Sequence, residues 1–247
     1  MAAAPHETGF LDRAVTVKEV EYRYEVYVPR DYDRGRTWPI VLSLHGGGEY
    51  GADGIRPTVG ALAKAIRLHP DRFPVIVVFA QAHADGTPSW QQASGEAALV
   101  EVDKALTEFH GDPSRIYVTG YSAGGNGAWF LAYHHPQRFA ALVVICGFVS
   151  DFTGKQSHAF YPGIAPASAP DRYAAIAQQV RSLPIWIFHG DADQNVSVEE
   201  SRRMASALRA VGAQVHYTEL AGVDHSAWDP AYDDAEMVEW LLTQLRR

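Results

Sequence analysis

The stretch Arg115-Ile-Tyr-Val-Thr-Gly-Tyr-Ser-Ala-Gly-Gly125 decides the fold, because an apolar run leads directly into the pentapeptide Gly-Tyr-Ser122-Ala-Gly. The run is typical of a buried strand, and the residues that follow it have the spacing of a helix. A serine flanked by glycines at such a junction matches the G-x-S-x-G nucleophile elbow, which exposes the serine hydroxyl on a strained turn. A glycine-rich turn without chemistry is the alternative, and the strand–turn–helix setting favours Ser122 as a nucleophile.

The alternation of short apolar runs with helix-like segments continues along most of the chain. Runs rich in Val and Ile predict strands buried on both faces at residues 39–44, 74–80, 115–119, 141–146 and 184–188. Helical spacing predicts helices at residues 59–68, 95–110, 125–134, 172–181, 198–211 and 233–245. We therefore expect an α/β fold in which a mostly parallel sheet of about eight strands carries helices on both faces.

The N-terminal part of the chain has a different pattern. From residue 14 to residue 29 most apolar side chains recur at every second position, which predicts antiparallel strands. The first 13 residues are polar and mixed, and we expect them to form a loose lead-in. Because no shift in composition divides the chain, a single domain over residues 1–247 is predicted.

Composition and charge exclude several classes of protein. The 247 residues are 47% hydrophobic and 20% charged, as in ordinary globular proteins. The net charge of −8 argues against a nucleic-acid partner, and the absence of an apolar run of about 18 residues argues against a membrane span. The one cysteine, Cys146, permits neither an intramolecular disulfide nor a cysteine-based metal site. The first residues lack a signal-peptide pattern, so a cytoplasmic location is expected unless a signal was trimmed.

A serine hydroxyl is a weak nucleophile and needs a general base, which in turn needs an orienting acid. In the elbow-containing fold these groups follow the serine in the order acid, then histidine. His225 follows the run at residues 214–220, which is predicted to be the last strand, and we therefore expect His225 to be the base.

The acid is expected in the loop after the strand at residues 184–188. That loop reads His189-Gly-Asp-Ala-Asp-Gln-Asn-Val196 and offers two carboxylates, Asp191 and Asp193. Asp193 is favoured because Val196, three residues later, would anchor the loop, whereas short acidic side chains that only shape turns are the alternative. Asp224 is less favoured because it would point away if its neighbour His225 points inward.

Backbone donors for a developing oxyanion are expected in the glycine run His45-Gly-Gly-Gly-Glu-Tyr-Gly51, after the strand at residues 39–44. The rule for this fold takes one amide from that loop and one from the residue after the nucleophile, which nominates Gly47 and Ala123. Gly46 and Gly48 remain alternatives to Gly47. The run lacks the G-K-[ST] ending of a phosphate-binding loop, so a nucleotide is not expected.

Two segments are expected to shape the substrate pocket. A turn-rich loop at residues 82–92 holds Trp90, which either contacts substrate or anchors the loop. Residues 148–171 form a connection long enough to be a cap, and its aromatic side chains, Phe148 among them, either wall an apolar pocket or seal the cap onto the body. Trp228, three residues after His225, is expected to border the site.

These residues together resemble the α/β-hydrolase superfamily, and within it the esterases and peptidases related to polyhydroxybutyrate depolymerases and feruloyl esterases. The resemblance runs from about residue 38 to residue 240 and rests on the segments at 44–51, 115–125, 145–147, 188–193 and 222–225. It implies that Ser122 is the nucleophile, Asp193 the acid and His225 the base. The chain departs from the usual pattern at the third glycine of residues 46–48 and at Ala80-Gln-Ala-His83.

The function expected from this set is hydrolysis of carboxylic esters with small or aromatic acyl groups, through an acyl-enzyme and without a metal or organic cofactor. The expected partner is a small-molecule ester, not a nucleic acid or a membrane. A serine peptidase, a polyester depolymerase and an acyl transferase share the chemistry and remain alternatives. A non-catalytic binding protein that retains the fold is a further alternative.

Overall fold

An eight-stranded sheet forms the centre of the protein. We analysed a computed structural model that describes residues 7–83, 89–155 and 159–246. The strands of the large sheet are β1 (Gly9–Val17), β2 (Val20–Val28), β3 (Trp38–Leu44), β4 (Ile76–Ala80), β5 (Gly111–Tyr121), β6 (Ala141–Ile145), β9 (Ile185–Gly190) and β10 (Val215–Leu220). Their order is β1-β2-β4-β3-β5-β6-β9-β10, and β7 (Phe152–Thr153) pairs separately with β8 (Phe160–Tyr161).

Strand direction follows the sequence pattern. β2 pairs antiparallel with β1 and β4, and every other pair of neighbours in the large sheet is parallel. β3 and β4 are buried along their whole length, as expected for strands covered on both faces. The prediction of a mostly parallel sheet with antiparallel N-terminal strands is confirmed.

Helices cover both faces of the sheet and enclose two apolar clusters. The helices are α1 (Ala61–Leu68), α2 (Ala93–Glu108), α3 (Ala123–His134), α4 (Arg172–Val180), α5 (Glu199–Ala210), α6 (Trp228–Asp233) and α7 (Ala235–Thr243). One cluster packs α2, α3, α4 and α5 against the sheet, and the other packs α1, α6 and α7 against its opposite face. Among the described residues no helix is both long enough and apolar enough to cross a membrane.

One expectation about local structure was wrong and another was confirmed. Residues 9–13 are not a loose lead-in, because β1 begins at Gly9 and pairs with β2 over its full length. The ring of Phe10 in β1 packs on the ring of Phe79. This edge strand therefore has apolar contacts that its mixed polar and apolar sequence did not indicate. The predicted helix at 233–245 is confirmed as α7, which begins after Asp234, whose carboxylate accepts hydrogen bonds from the amides of Glu236 and Met237.

The elbow between β5 and α3 is packed backbone against backbone. A Cβ on Gly120 would collide with the carbonyl oxygen of Gly124, and a Cβ on Gly124 would collide with the carbonyl oxygens of Leu44 and His45. The glycines therefore allow the elbow to sit directly against the end of β3. This contact brings the serine turn and the glycine run after β3 to the same edge of the sheet.

Residues 148–171 leave the sheet after β6 and contain the β7–β8 pair. Residues 156–158 of this segment, like residues 84–88 of the loop at 82–92, lie outside the described residues. That the chain forms one domain, with this segment as its cap, stays a prediction.

Gly124→Ala should lower the free energy of unfolding by about 3 kcal/mol or more, because neither Leu44 nor His45 can move its backbone away without distorting β3. The matched control is Gly48→Ala, where a Cβ meets nothing within 4 Å and a change within about 1 kcal/mol is expected. Urea unfolding of both variants measures the difference. Equal stability of the two variants would contradict the packing described for the elbow.

Candidate active site

Ser122 occupies the turn between β5 and α3 in a strained conformation. Its φ of 53° and ψ of −118° lie in a region that residues other than glycine rarely adopt. The strain is held by its neighbours, since the Ser122 amide donates to the Ile145 carbonyl at 2.9 Å and the Ser122 carbonyl accepts from the Asn126 amide at 3.0 Å. The turn leaves the hydroxyl facing a cavity.

His225 lies in the loop after β10, and its ring bridges two other side chains. Its Nε2 is 2.9 Å from the Oγ of Ser122, and its Nδ1 is 2.7 Å from the Oδ2 of Asp193. The loop is tied to the end of β9 by the Ala192 amide, which donates to the Val223 carbonyl at 3.0 Å. Three side chains that are far apart in the sequence thus form one hydrogen-bonded chain.

Asp193 is fully buried and accepts hydrogen bonds on both oxygens. Its Oδ1 accepts from the amides of Asn195 at 2.7 Å and Val196 at 2.9 Å, and its Oδ2 faces both His225 and His189. Burial raises the pKa of Asp193, but hydrogen bonds from His189, His225 and the Val196 amide outweigh burial and hold this pKa well below its usual value. Asp193 is therefore an ionised carboxylate at neutral pH.

The other two carboxylates that the sequence offered lie outside this chain of hydrogen bonds. Asp191 is exposed and its Oδ1 accepts from the Gly222 amide at 2.7 Å. Asp224 is exposed and accepts from the Ser226 amide at 2.8 Å. Both shape turns, whereas Asp193 reaches the histidine.

The glycine run after β3 borders the same cavity as Ser122. Gly47 and Ala123 both line it, and Ala123 is the first residue of α3, so its amide has no acceptor within that helix. A Cβ on Gly46 would lie 2.8 Å from the ring of Tyr121, which shows that Gly46 packs against that ring. A Cβ on Gly48 would meet nothing within 4 Å and one on Gly47 would meet only the Tyr161 hydroxyl at 3.9 Å, so either backbone could approach a substrate closely.

His45 supports this run from beneath. It is buried, its Nδ1 donates to the Gly46 carbonyl at 2.6 Å, and its Nε2 accepts from the Ala82 amide at 3.0 Å. Burial lowers the pKa of His45 to about 4, so the ring is neutral and keeps one acceptor and one donor. The ring joins the end of β3 to the end of β4.

Trp90 does not line the cavity, which corrects its nomination as a substrate-binding residue. Its side chain is 1% exposed, and its indole Nε1 donates to the His45 carbonyl at 3.1 Å. A Cβ on Gly127 would collide with the Trp90 side chain, so the indole fills the space between α3 and the glycine run. Of the two roles that the sequence allowed for Trp90, the structure supports the loop anchor and not the substrate contact.

The cavity at Ser122 has a volume of about 310 Å³, and aromatic side chains form part of its wall. Phe148 and Trp228, both nominated from the sequence, line it. The Trp228 ring packs at a tilt of 39° against Tyr121, at 4.8 Å between centroids, and meets the His225 ring edge-on at 5.6 Å. Phe152 packs on Phe148 at 4.3 Å.

Side chains from residues 148–171 reach the cavity because carboxylates fix the segment at two points. Glu200 of α5 accepts from the Val149 amide at 2.9 Å and from the Tyr173 hydroxyl at 2.9 Å. Asp151 accepts from the Gly163 amide and from Arg172, each at 2.8 Å. These contacts hold the aromatic wall over the elbow.

Several lining residues escaped the sequence analysis. Tyr121 occupies the variable position before the serine, and Asn195 lies beside the acid, so their places in the motifs were a usable signal. Lys155 comes from the segment at 148–171, and only the tertiary fold shows that it lines the cavity, whereas Tyr161 is one of the aromatic residues of that segment that were expected in the wall. Glu49 also lines the cavity, and burial raises the pKa of its carboxyl.

One group of side chains in the described part of the chain has the geometry of a metal site. Candidate ligand atoms of Cys146, Asp193 and His225 lie within 4.8 Å of one another. The Cys146 thiol is buried, its pKa is raised well above the usual value by that burial, and its Sγ is 3.5 Å from the His225 carbonyl. Because the two other residues already satisfy each other and the thiol stays protonated, this donor set fits a hydrogen-bonded chain better than a cation.

Comparisons with known proteins agree with the fold. A family model described as the prolyl oligopeptidase family matches residues 81–247. The chain is 29% identical over 153 residues to an iron(III) enterobactin esterase of Dickeya dadantii, covering 56% of this chain and 32% of that protein. It spans less than half the length of the curated relatives that it matches.

Solved structures are similar over nearly the whole chain. A thermostable esterase superposes with a TM-score of 0.79 at 30% identity, covering 96% of this chain and 63% of that one. A ferulic acid esterase from Anaeromyces mucronatus superposes with a TM-score of 0.69 at 17% identity, covering 95% and 90%. The fold is that of the α/β-hydrolases.

Asp193→Asn should lower the free energy of unfolding at pH 7 by about 2 kcal/mol, because an amide replaces a charged acceptor. A carboxyl whose pKa is depressed on folding stabilises the protein fully above its unfolded pKa, near 3.9, and loses that contribution as pH falls through the folded pKa. The difference from the wild type should therefore be constant above about pH 5 and shrink below about pH 4.

Urea unfolding across this pH range measures the effect, with the exposed Asp191→Asn as the matched control. The control should change stability by less than about 0.5 kcal/mol. A larger loss for the control, or a difference for Asp193→Asn that persists unchanged into acid, would contradict the charge assigned to Asp193.

Proposed function

The chain belongs to the prolyl oligopeptidase family, and from that premise we propose that it is a serine carboxylesterase with Ser122 as nucleophile, His225 as base and Asp193 as acid. That it is a serine hydrolase of the α/β-hydrolase fold follows from the family and from the esterases that share its structure. The observation that carries the finer proposal is the unbroken path of hydrogen bonds from Asp193 through His225 to Ser122.

The proposed reaction begins when Ser122 Oγ attacks the ester carbonyl while Nε2 of His225 takes the hydroxyl proton. The ionised Asp193 accepts from Nδ1, which fixes the ring orientation and stabilises its cationic form. The tetrahedral oxyanion accepts hydrogen bonds from the amides of Ala123 and Gly47. These amides need no rearrangement to bind the oxyanion, because α3 and the glycine run are already in place.

Collapse of the tetrahedral intermediate breaks the ester bond, and His225 returns its proton to the leaving alcohol. Water then attacks the acyl-Ser122, with His225 removing one proton and delivering it to the serine oxygen as the carboxylic acid leaves. Every proton in these steps moves through Nε2 of His225, while Nδ1 keeps its hydrogen and donates it to Asp193. The proposed steps use side chains, backbone amides and water.

The proposed substrates are esters with small or aromatic acyl groups. A cavity of about 310 Å³ that includes aromatic side chains in its wall suits an acyl group of that size and disfavours bulky polymers. Phe152 and Trp228 are partly exposed in the cavity wall, where an aromatic acyl group would pack, and Phe148 lies buried against Phe152. The ferulic acid esterase and the enterobactin esterase named above support an ester as the substrate.

A serine peptidase is the second candidate, and the family itself favours it. The same catalytic residues would cleave an amide, with an amine as leaving group. Parallel assays with an acyl p-nitrophenyl ester and the corresponding acyl p-nitroanilide separate the two functions. The cytoplasmic location and the small-molecule ester partner expected from the sequence stay predictions.

Ser122→Ala should lower kcat for p-nitrophenyl acetate by at least about 10³-fold, because the proposed acyl-enzyme forms on the Ser122 hydroxyl. The variant should also fail to react with a fluorophosphonate probe, which labels the wild type. Ser226→Ala, an exposed serine next to the base, is the matched control and should keep its rate and its labelling. Turnover retained by Ser122→Ala would overturn the assignment of the nucleophile.

Phe152→Ala should shift the acyl preference toward longer chains, because it removes a ring from the cavity wall. We expect kcat/KM for octanoate relative to acetate to rise about tenfold. Phe160→Ala is the matched control, since Phe160 lies in the same two-stranded sheet but is 51% exposed and is not part of the wall. Equal ratios in both variants would show that the acyl group binds elsewhere.

A further inference from the structure

A second histidine lies behind the acid. His189, at the end of β9, is fully buried, and its Nε2 lies 3.3 Å from Asp193 Oδ2 and 3.1 Å from the Val196 carbonyl oxygen. On the other side of the ring, Nδ1 is 2.7 Å from the hydroxyl oxygen of Ser201 in α5, which is 3% exposed. The proposed mechanism assigns no role to either residue.

The partners determine where the ring carries its hydrogen. A carbonyl oxygen and an ionised carboxylate can only accept, so Nε2 of His189 must be the donor to Val196 and Asp193. In the neutral ring Nδ1 then has a free lone pair, and the Ser201 hydroxyl donates to it. Ser201 thereby supports the tautomer that points an N–H at the acid.

The short loop that carries the acid is thus held from two sides. The Val196 amide donates to Oδ1 of Asp193 at 2.9 Å, while the Val196 carbonyl accepts from His189. Because His189 also faces Oδ2, it opposes rotation of the carboxylate about its Cβ–Cγ bond. That rotation would carry Oδ2 away from the Nδ1 of His225, which lies 2.7 Å from it.

We propose that His189, oriented by Ser201, is a positioning residue that holds the Asp193 carboxylate in the rotamer that orients His225. The inference rests on the proposed role of Asp193 as the acid. Because the His189 ring does not line the substrate cavity, it would affect kcat only through Asp193. A histidine that only filled the core would affect stability and would act independently of Asp193.

Two substitutions separate the ring nitrogens. His189→Gln keeps a donor near the position of Nε2, whereas His189→Asn keeps a polar group near Nδ1 and loses the donor to Asp193. We expect kcat for p-nitrophenyl acetate, per active site titrated with a fluorophosphonate, to fall about tenfold in His189→Asn and less than about threefold in His189→Gln. KM should change little in both variants.

The decisive comparison repeats both substitutions in the Asp193→Asn background. If His189 acts through Asp193, the ratio of kcat between His189→Gln and His189→Asn should shrink to less than about twofold in the Asp193→Asn background. The same difference in both backgrounds, or equal rates for the two variants in the wild-type background, would overturn the proposal. Ser94→Ala, which alters a buried serine hydroxyl away from His189, is the control and should leave kcat unchanged.

A long-range ¹H–¹⁵N correlation spectrum of the wild type tests the geometry without relying on activity. The His189 ring, assigned by its loss in His189→Gln, should show the Nε2–H tautomer, and an Nδ1–H tautomer would overturn the proposal. Should neither His189 variant fold, Ser201→Ala replaces them, with a kcat loss of about threefold expected only when Asp193 is present. If the wild-type protein neither turns over the ester nor reacts with the probe, the proposed function is refuted. The tautomer of His189 still tests whether its ring donates to Asp193.

Discussion

Close backbone packing at the serine elbow is the constraint on which the rest of the structure depends. Gly120 and Gly124 leave no room for a side chain, so β5 turns into α3 within a single strained residue, directly against the end of β3. That turn leaves the Ser122 hydroxyl in the cavity and brings the Ala123 amide and the glycine run to the same edge of the sheet. A wider turn would separate the proposed nucleophile from the proposed oxyanion donors.

The parallel sheet supplies everything else from neighbouring strand ends. β3, β5, β6, β9 and β10 run in the same direction, so the loops that follow them meet at one edge. β9 carries the buried His189, the loop after β9 carries the proposed acid, the loop after β10 carries the proposed base, and the segment after β6 carries aromatic residues of the cavity wall. Each loop carries one part of the chemistry, and the sheet determines the distances between them.

The fold and the three proposed catalytic residues could be read from the sequence because each depends on local steric or chain-order rules. The sequence alone indicates which strands are buried, where the elbow glycines lie and that Ser122, Asp193 and His225 follow in this order. Trp90 was ambiguous because its neighbours, the His45 carbonyl and Gly127, are distant in sequence. For the same reason the pattern revealed neither the wall position of Lys155 nor the contact between Ser201 and His189.

The most direct test of the account is to trap the acyl-enzyme. Wild-type protein is mixed with excess p-nitrophenyl acetate, quenched in acid within the first turnover, digested and analysed by mass spectrometry. The account predicts an acetyl group on the peptide that carries Ser122, formed at the rate of the nitrophenol burst. Release of nitrophenol while Ser122 stays unmodified and another residue carries the acetyl group would contradict it.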